Sequence, residues 1–74
     1  MRPTKRFVVC LKNKGYEVSL ERGKIYLALP APDAAKHKQI RVVDESGEDH
    51  LYPQALFAPI ELPNAVRRAL VAAL

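Results

Sequence analysis

Tryptophan is absent from this 74-residue chain, cysteine and methionine occur once each, and glycine only three times. A lone cysteine, Cys10, permits no internal disulfide, which points to a reducing compartment, the cytoplasm. Long apolar runs are missing as well. Leu27–Pro32 and Ala69–Leu74 fall far short of the ~20 residues a membrane helix needs, so no membrane span is expected. The basic start, Met1 to Arg6, leads into Phe7–Leu11, which is too short for the apolar core of a secretion signal. There is no Gly-rich phosphate loop, no pair of cysteines or histidines at metal spacing, and no Ser-His-acid set. A domain this small also lacks the walls that keep water from a transition state. Neither enzyme activity nor a cofactor is expected, and no metal.

What remains is a chain that is 49% apolar, with twelve Lys plus Arg against eight Asp plus Glu and a net charge of +4. That balance belongs to a small globular domain rather than a disordered tail. Phe7–Leu11 reads as a strand with apolar residues on both faces, Phe7, Val9 and Leu11 on one and Val8 and Cys10 on the other. Asn13-Lys14-Gly15 breaks it, Tyr16–Leu20 alternates weakly, and Glu21-Arg22-Gly23 makes a turn. Lys24–Leu29 is the clearest strand, with Ile25, Leu27 and Leu29 opposite Tyr26 and Ala28. Pro30 and Pro32 stop it, because proline cannot donate to a ladder. A polar loop with at most one helical turn leads to a third strand, Gln39–Asp44, with Ile40 and Val42 inward.

Glu45-Ser46-Gly47-Glu48 fits a short hairpin turn. His50–Tyr52 continues from it, Gln54-Ala55-Leu56 fits one 3-10 turn, and Phe57–Leu62 is a last strand interrupted by Pro59. The period then changes. Pro63 suits a first helical position, and Val66, Ala69, Leu70, Ala73 and Leu74 form one stripe with Arg67 and Arg68 outside it. Twelve residues do not hold a helix alone in water, so the stripe must dock on this chain or on another. The division expected is a flexible tail over 1–5, a β-domain over 6–62 and a helix over 63–74, as a monomer or a weak dimer through that helix.

Five short strands with a long first loop, a middle loop, a tight hairpin and a 3-10 turn resemble the layout of an SH3-like barrel. The stretch from Glu17 to Tyr26 is similar to the SH3 segment in which a leucine and a glycine set the diverging turn. Leu51-Tyr52-Pro53-Gln54-Ala55-Leu56-Phe57 is similar to its segment of aromatic, proline and 3-10 turn. The run Val43-Asp44-Glu45-Ser46-Gly47-Glu48-Asp49, with Leu51-Tyr52-Pro53 and Phe57 through Pro63, also resembles a group of short uncharacterised bacterial proteins. The resemblance implies a mainly all-β fold, a small five-stranded SH3-like barrel, and no activity. SH3 domains that bind proline-rich peptides line a groove with a tryptophan and several tyrosines. Here only Pro53 matches, and Leu56 stands where a groove tyrosine would, so that mode of recognition is not expected.

Two surfaces are candidates for binding. One combines Tyr16, Tyr26, Tyr52 and Pro53 around the two long loops, a set of exposed aromatics suited to a protein partner. The other gathers Lys12, Lys14, Lys36, Lys38 and Arg41, with Arg2, Lys5 and Arg6 nearby, into a patch that would face the phosphates of a nucleic acid, with Tyr16 and Tyr26 placed to stack on bases. Cys10 in an apolar strand reads as a small core residue rather than a nucleophile. His37 lies between Lys36 and Lys38, which repel a metal cation, and reads as a solvated loop residue. The acidic hairpin of Asp44, Glu45, Glu48 and Asp49 is no calcium loop, because an EF-hand needs Gly at position 6 and Glu at 12, where counting from Asp44 gives Asp49 and Ala55. It reads as a solvated hairpin that protects a sheet edge.

Overall fold

The computed structural model describes residues 6–73, so the tail expected over 1–5 lies outside the described residues, as does Leu74. Five strands follow the sequence expectation to within a residue or two: β1 Arg6–Cys10, β2 Ile25–Leu29, β3 Gln39–Val43, β4 Asp49–Pro53 and β5 Phe57–Ile60. A one-turn helix, α1 (Pro32–Lys36), fills the β2–β3 connection, and a 3-10 turn, Gln54–Leu56, joins β4 to β5. A terminal helix, α2, covers Asn64–Ala73. Every strand pairing is antiparallel, in the order β4-β3-β2-β1-β5. Among the described residues no ladder joins β4 to β5. The sheet is therefore open, where the sequence reading expects a closed barrel.

One face of the sheet carries the core. Val8 stands beside Tyr26, Ala28 beside Val42, Ile40 beside Tyr52 and Cys10 beside Phe57. All of these are buried, and Leu20 from the long β1–β2 connection completes the cluster at 1% exposure. Ile40 and Val42 point inward, as their alternation predicts. On the opposite face the register aligns Val43, Leu27, Phe7 and Ile60 in one row and Ile25, Val9 and Ala58 in another. Phe7 and Leu27 are buried there, but Ile25 stays 40% exposed.

Two backbone devices shape the ends of β3. After α1 the chain needs one left-handed residue to turn into the strand, and Lys38 takes it at φ +56°, with its N–H donating to Ala35 O at 3.1 Å. Glycine is the usual occupant of that position, since a Cβ there costs on the order of 1 kcal/mol. At the far end the hairpin closes by Gly47 N donating to Asp44 O and Asp44 N to Glu48 O, with Gly47 at φ +85°.

Candidate functional site

Tyrosine can sit on either face of a strand, because its ring is apolar and its hydroxyl needs only one partner. Here the core takes it. Tyr26 is 5% exposed and Tyr52 4%, and Tyr16 is half-buried against the same cluster. Tyr52 meets Tyr16 edge to face at 5.3 Å between ring centroids and Phe57 at 6.1 Å, while Tyr26 meets Phe57 at 6.4 Å. The expected aromatic surface is thus corrected: of Tyr16, Tyr26, Tyr52 and Pro53, only Pro53 is exposed and Tyr16 partly so. Neither does Tyr26 offer its ring for base stacking. The physical reason is the Asp44–Glu45 corner, which lets both hydroxyls be buried without loss.

At that corner Tyr26 Oη donates to Glu45 and accepts from Glu21 N (2.7 Å), and Lys24 Nζ donates to both Glu45 oxygens at 2.7 and 2.9 Å. Glu45 N in turn donates to Ser19 O at 3.0 Å, tying the β3–β4 hairpin to the long connection. Asp44, 7% exposed, accepts from Tyr52 Oη (2.6 Å), from His50 Nδ1 (2.7 Å), and from the hydroxyl and backbone N–H of Ser46. Burial pushes its carboxyl pKa upward, but these donors more than offset that and hold it well below the usual carboxylate range. Burial and then the adjacent carboxylates raise both tyrosine hydroxyls. Asp49 is held down chiefly by Arg41, whose Nη1 lies 2.6 Å away. The hairpin is therefore a solvated edge only in part, since one of its four acids is a buried anchor. A cue for this existed in the order Asp-x-Ser-Gly, because an aspartate accepting from the backbone two residues on is a common turn device.

The basic candidates separate. Arg41 is drawn into its pair with Asp49, and Lys36 lies 3.8 Å from Asp33. Lys12 and Lys38 are bonded through their backbones to opposite ends of the 3-10 turn. Gln54 N donates to Lys38 O at 2.9 Å at one end of the turn, and Lys12 N donates to Leu56 O at 3.3 Å at the other. Lys14 follows two residues on from Lys12. Among the described residues no ion pair forms at Lys12, Lys14 or Lys38. Beside the turn, where the sheet fails to close, lies a cleft of about 240 Å³ lined by Arg6, Val8, Ile40, Gln54, Phe57 and Pro59. Sequence reading missed this cleft, because no local pattern states which strands leave a gap.

Cys10 is 1% exposed and its thiol donates to Lys12 O at 3.3 Å, while burial raises its pKa. That environment keeps the sulfur protonated and packed. α2 is the least integrated element. Of its side chains described, only Leu70 is half-buried, and Val66 and Val71 remain 42% and 43% exposed. Its first turn borders a shallow pocket with Phe7, Ile60 and Leu62. Among the described residues no helix is long and apolar enough to cross a membrane.

The molecule is thus a mostly β domain, an open five-stranded antiparallel sheet with a short C-terminal helix and charge of opposite sign at the two ends of β3. No family model matches the chain, and no curated protein or solved structure is significantly similar to it.

Proposed function

We propose that this chain is a non-catalytic interaction module, SH3-like in construction, that docks on a protein partner through α2. The strand order β4-β3-β2-β1-β5 and the 3-10 turn between β4 and β5 support the SH3-like reading. So do the long β1–β2 connection and the tight β3–β4 hairpin. The lone reduced Cys10 fits a cytoplasmic protein.

The observation that carries the interaction reading is the exposure of α2. A ten-residue helix is marginal in water and draws its stability from the surface its apolar stripe covers. In this chain Val66 and Ala69 of that stripe are left uncovered. The helix carries exposed Arg68 and no acid, so the surface it fits is an apolar groove with an acidic rim on another protein. Two copies of the helix would bring like charges together.

The test is affinity capture from the source organism with parallel nuclease treatment, followed by reconstitution with the purified partner. The Val66→Asp/Leu70→Asp variant should lose the reconstituted complex while keeping the cooperative unfolding of the sheet. Retention of the complex by that variant rules out α2 as the contact. A concentration-dependent dimer that the same substitutions dissolve replaces the foreign partner with a second copy.

A further inference from the structure

We infer that the open end of the sheet, around the 3-10 turn Gln54–Leu56, binds single-stranded nucleic acid, independently of the α2 contact. The inference starts from how the two charged ends are neutralised. At the acidic end Asp44 has four donors, Glu45 has Lys24 and Tyr26, and Asp49 has Arg41. Three of the four acids of that hairpin are answered from within the chain, and only Glu48 is not, among the described residues. At the basic end, one strand length away, exposed Lys38 and Lys12 are bonded through their backbones to the two ends of a three-residue turn, Lys14 follows two residues after Lys12, and no carboxylate is paired to any of the three among the described residues. Glu17 is the acid nearest Lys14 in sequence, and its carboxylate is engaged by Gly15 N at 3.0 Å. Unanswered positive charge on a chain of net charge +4 attracts an anion from outside.

The cleft decides which anion. Its lining combines the exposed Pro59 with the buried Val8, Ile40 and Phe57, next to the exposed Arg6 and Gln54. Tyr16, half-buried, packs edge to face on Tyr52, two residues before the turn. A polyanion whose charges alternate with flat apolar groups fits a cationic rim beside an apolar slot, and a single strand has that form because its bases are unpaired. A duplex keeps its bases inside and offers the slot nothing. An acidic peptide matches the rim but has no ring for the cleft.

The probes are a fluorescein-labelled 15-mer of deoxythymidine, the same length of duplex DNA, and polyglutamate. The 15-mer should bind with a Kd on the order of 10 µM at low salt. Its log affinity should fall against log salt with a slope of about −3, from four phosphate contacts at about 0.7 each. Lys12→Gln/Lys38→Gln should weaken binding at least tenfold and bring the slope to about −1.4. The charge-matched control Arg22→Gln/Lys24→Gln, outside the turn and the cleft lining and with Lys24 paired to Glu45 at the acidic end, should change affinity by less than about twofold. Circular dichroism and thermal melting confirm that both variants are folded. The inference is overturned if the two double variants behave alike, if the duplex binds as tightly as the single strand, or if polyglutamate of equal charge competes as well as unlabelled 15-mer.

Discussion

The two ends of β3 have been given opposite treatment. At the Val43 end, acids are bonded to tyrosines, a histidine, a lysine and the backbone, and one of them is inside the protein. At the Gln39 end, lysines rim a turn and face water. Charge at the first end organises structure: it fixes the hairpin, orients Tyr26 and Tyr52, and closes the long connection over Leu20. Charge at the second end holds nothing together and is free for another molecule. Substitutions should therefore cost stability at one end and binding at the other, and that separation can be broken by experiment.

Asp44→Ala should have the largest effect. It leaves the buried Tyr52 hydroxyl without its acceptor and frees His50 and Ser46 from the hairpin. A buried donor left unpaired and a lost hydrogen-bonded carboxylate together cost about 3 kcal/mol, a large share of the 5–15 kcal/mol typical of a domain. Urea unfolding monitored by tyrosine fluorescence measures it. A loss under about 1 kcal/mol would mean that the acidic corner is not structural.

The same carboxyl sets the response to acid. Its folded pKa lies below its unfolded value, near 3.9, so its contribution is fully present above about pH 4 and is lost as the pH falls further. Glu45, held down first by Lys24 and then by Tyr26, acts in the same direction. Thermal stability should be flat from neutrality to about pH 5 and then decline steeply, and Asp44→Asn should flatten that decline. An unchanged acid limb in Asp44→Asn would assign the decline to other groups.

Tyr26→Phe comes next, at about 1 kcal/mol, because it keeps the ring against Phe57 and removes only the hydroxyl that joins Glu45 to Glu21 N. The residue also shows where sequence reading stops. Ile25-Tyr26-Leu27-Ala28-Leu29 is apolar at every position, so period-2 alternation sorts the side chains into two sets without saying which set faces the core. In β3 a polar member, Arg41, settles the matter, and Ile40 and Val42 were legible as inward. In β2 the inward set is the one containing the polar atom. A hydroxyl reads as a surface group until its partner is known, and that partner is Glu45, nineteen residues away.

Element existence was legible because turns are written locally: Pro30 and Pro32, Gly47, Pro53 and Pro63 each mark a boundary that the structure places within about a residue or two. The buried role of Asp44, the division of the basic residues and the open side of the sheet are relations between distant segments. Lys38 and Arg41 lie three residues apart, yet one rims the 3-10 turn and the other is held by Asp49. Nothing within the segment itself distinguishes them.

The smallest stability effect is expected at the basic end, and Lys38→Gly gives it a sign. The left-handed backbone at φ +56° suits glycine, so removing the side chain should relieve strain and stabilise the fold by up to about 1 kcal/mol. The same substitution removes a cation from the rim of the 3-10 turn and should weaken single-strand binding severalfold. A residue that is unfavourable for the fold and favourable for binding moves the two readouts in opposite directions. If Lys38→Gly lowered both, the lysine would be a structural part of the α1–β3 corner, and the two ends of β3 would not differ as their hydrogen bonds indicate.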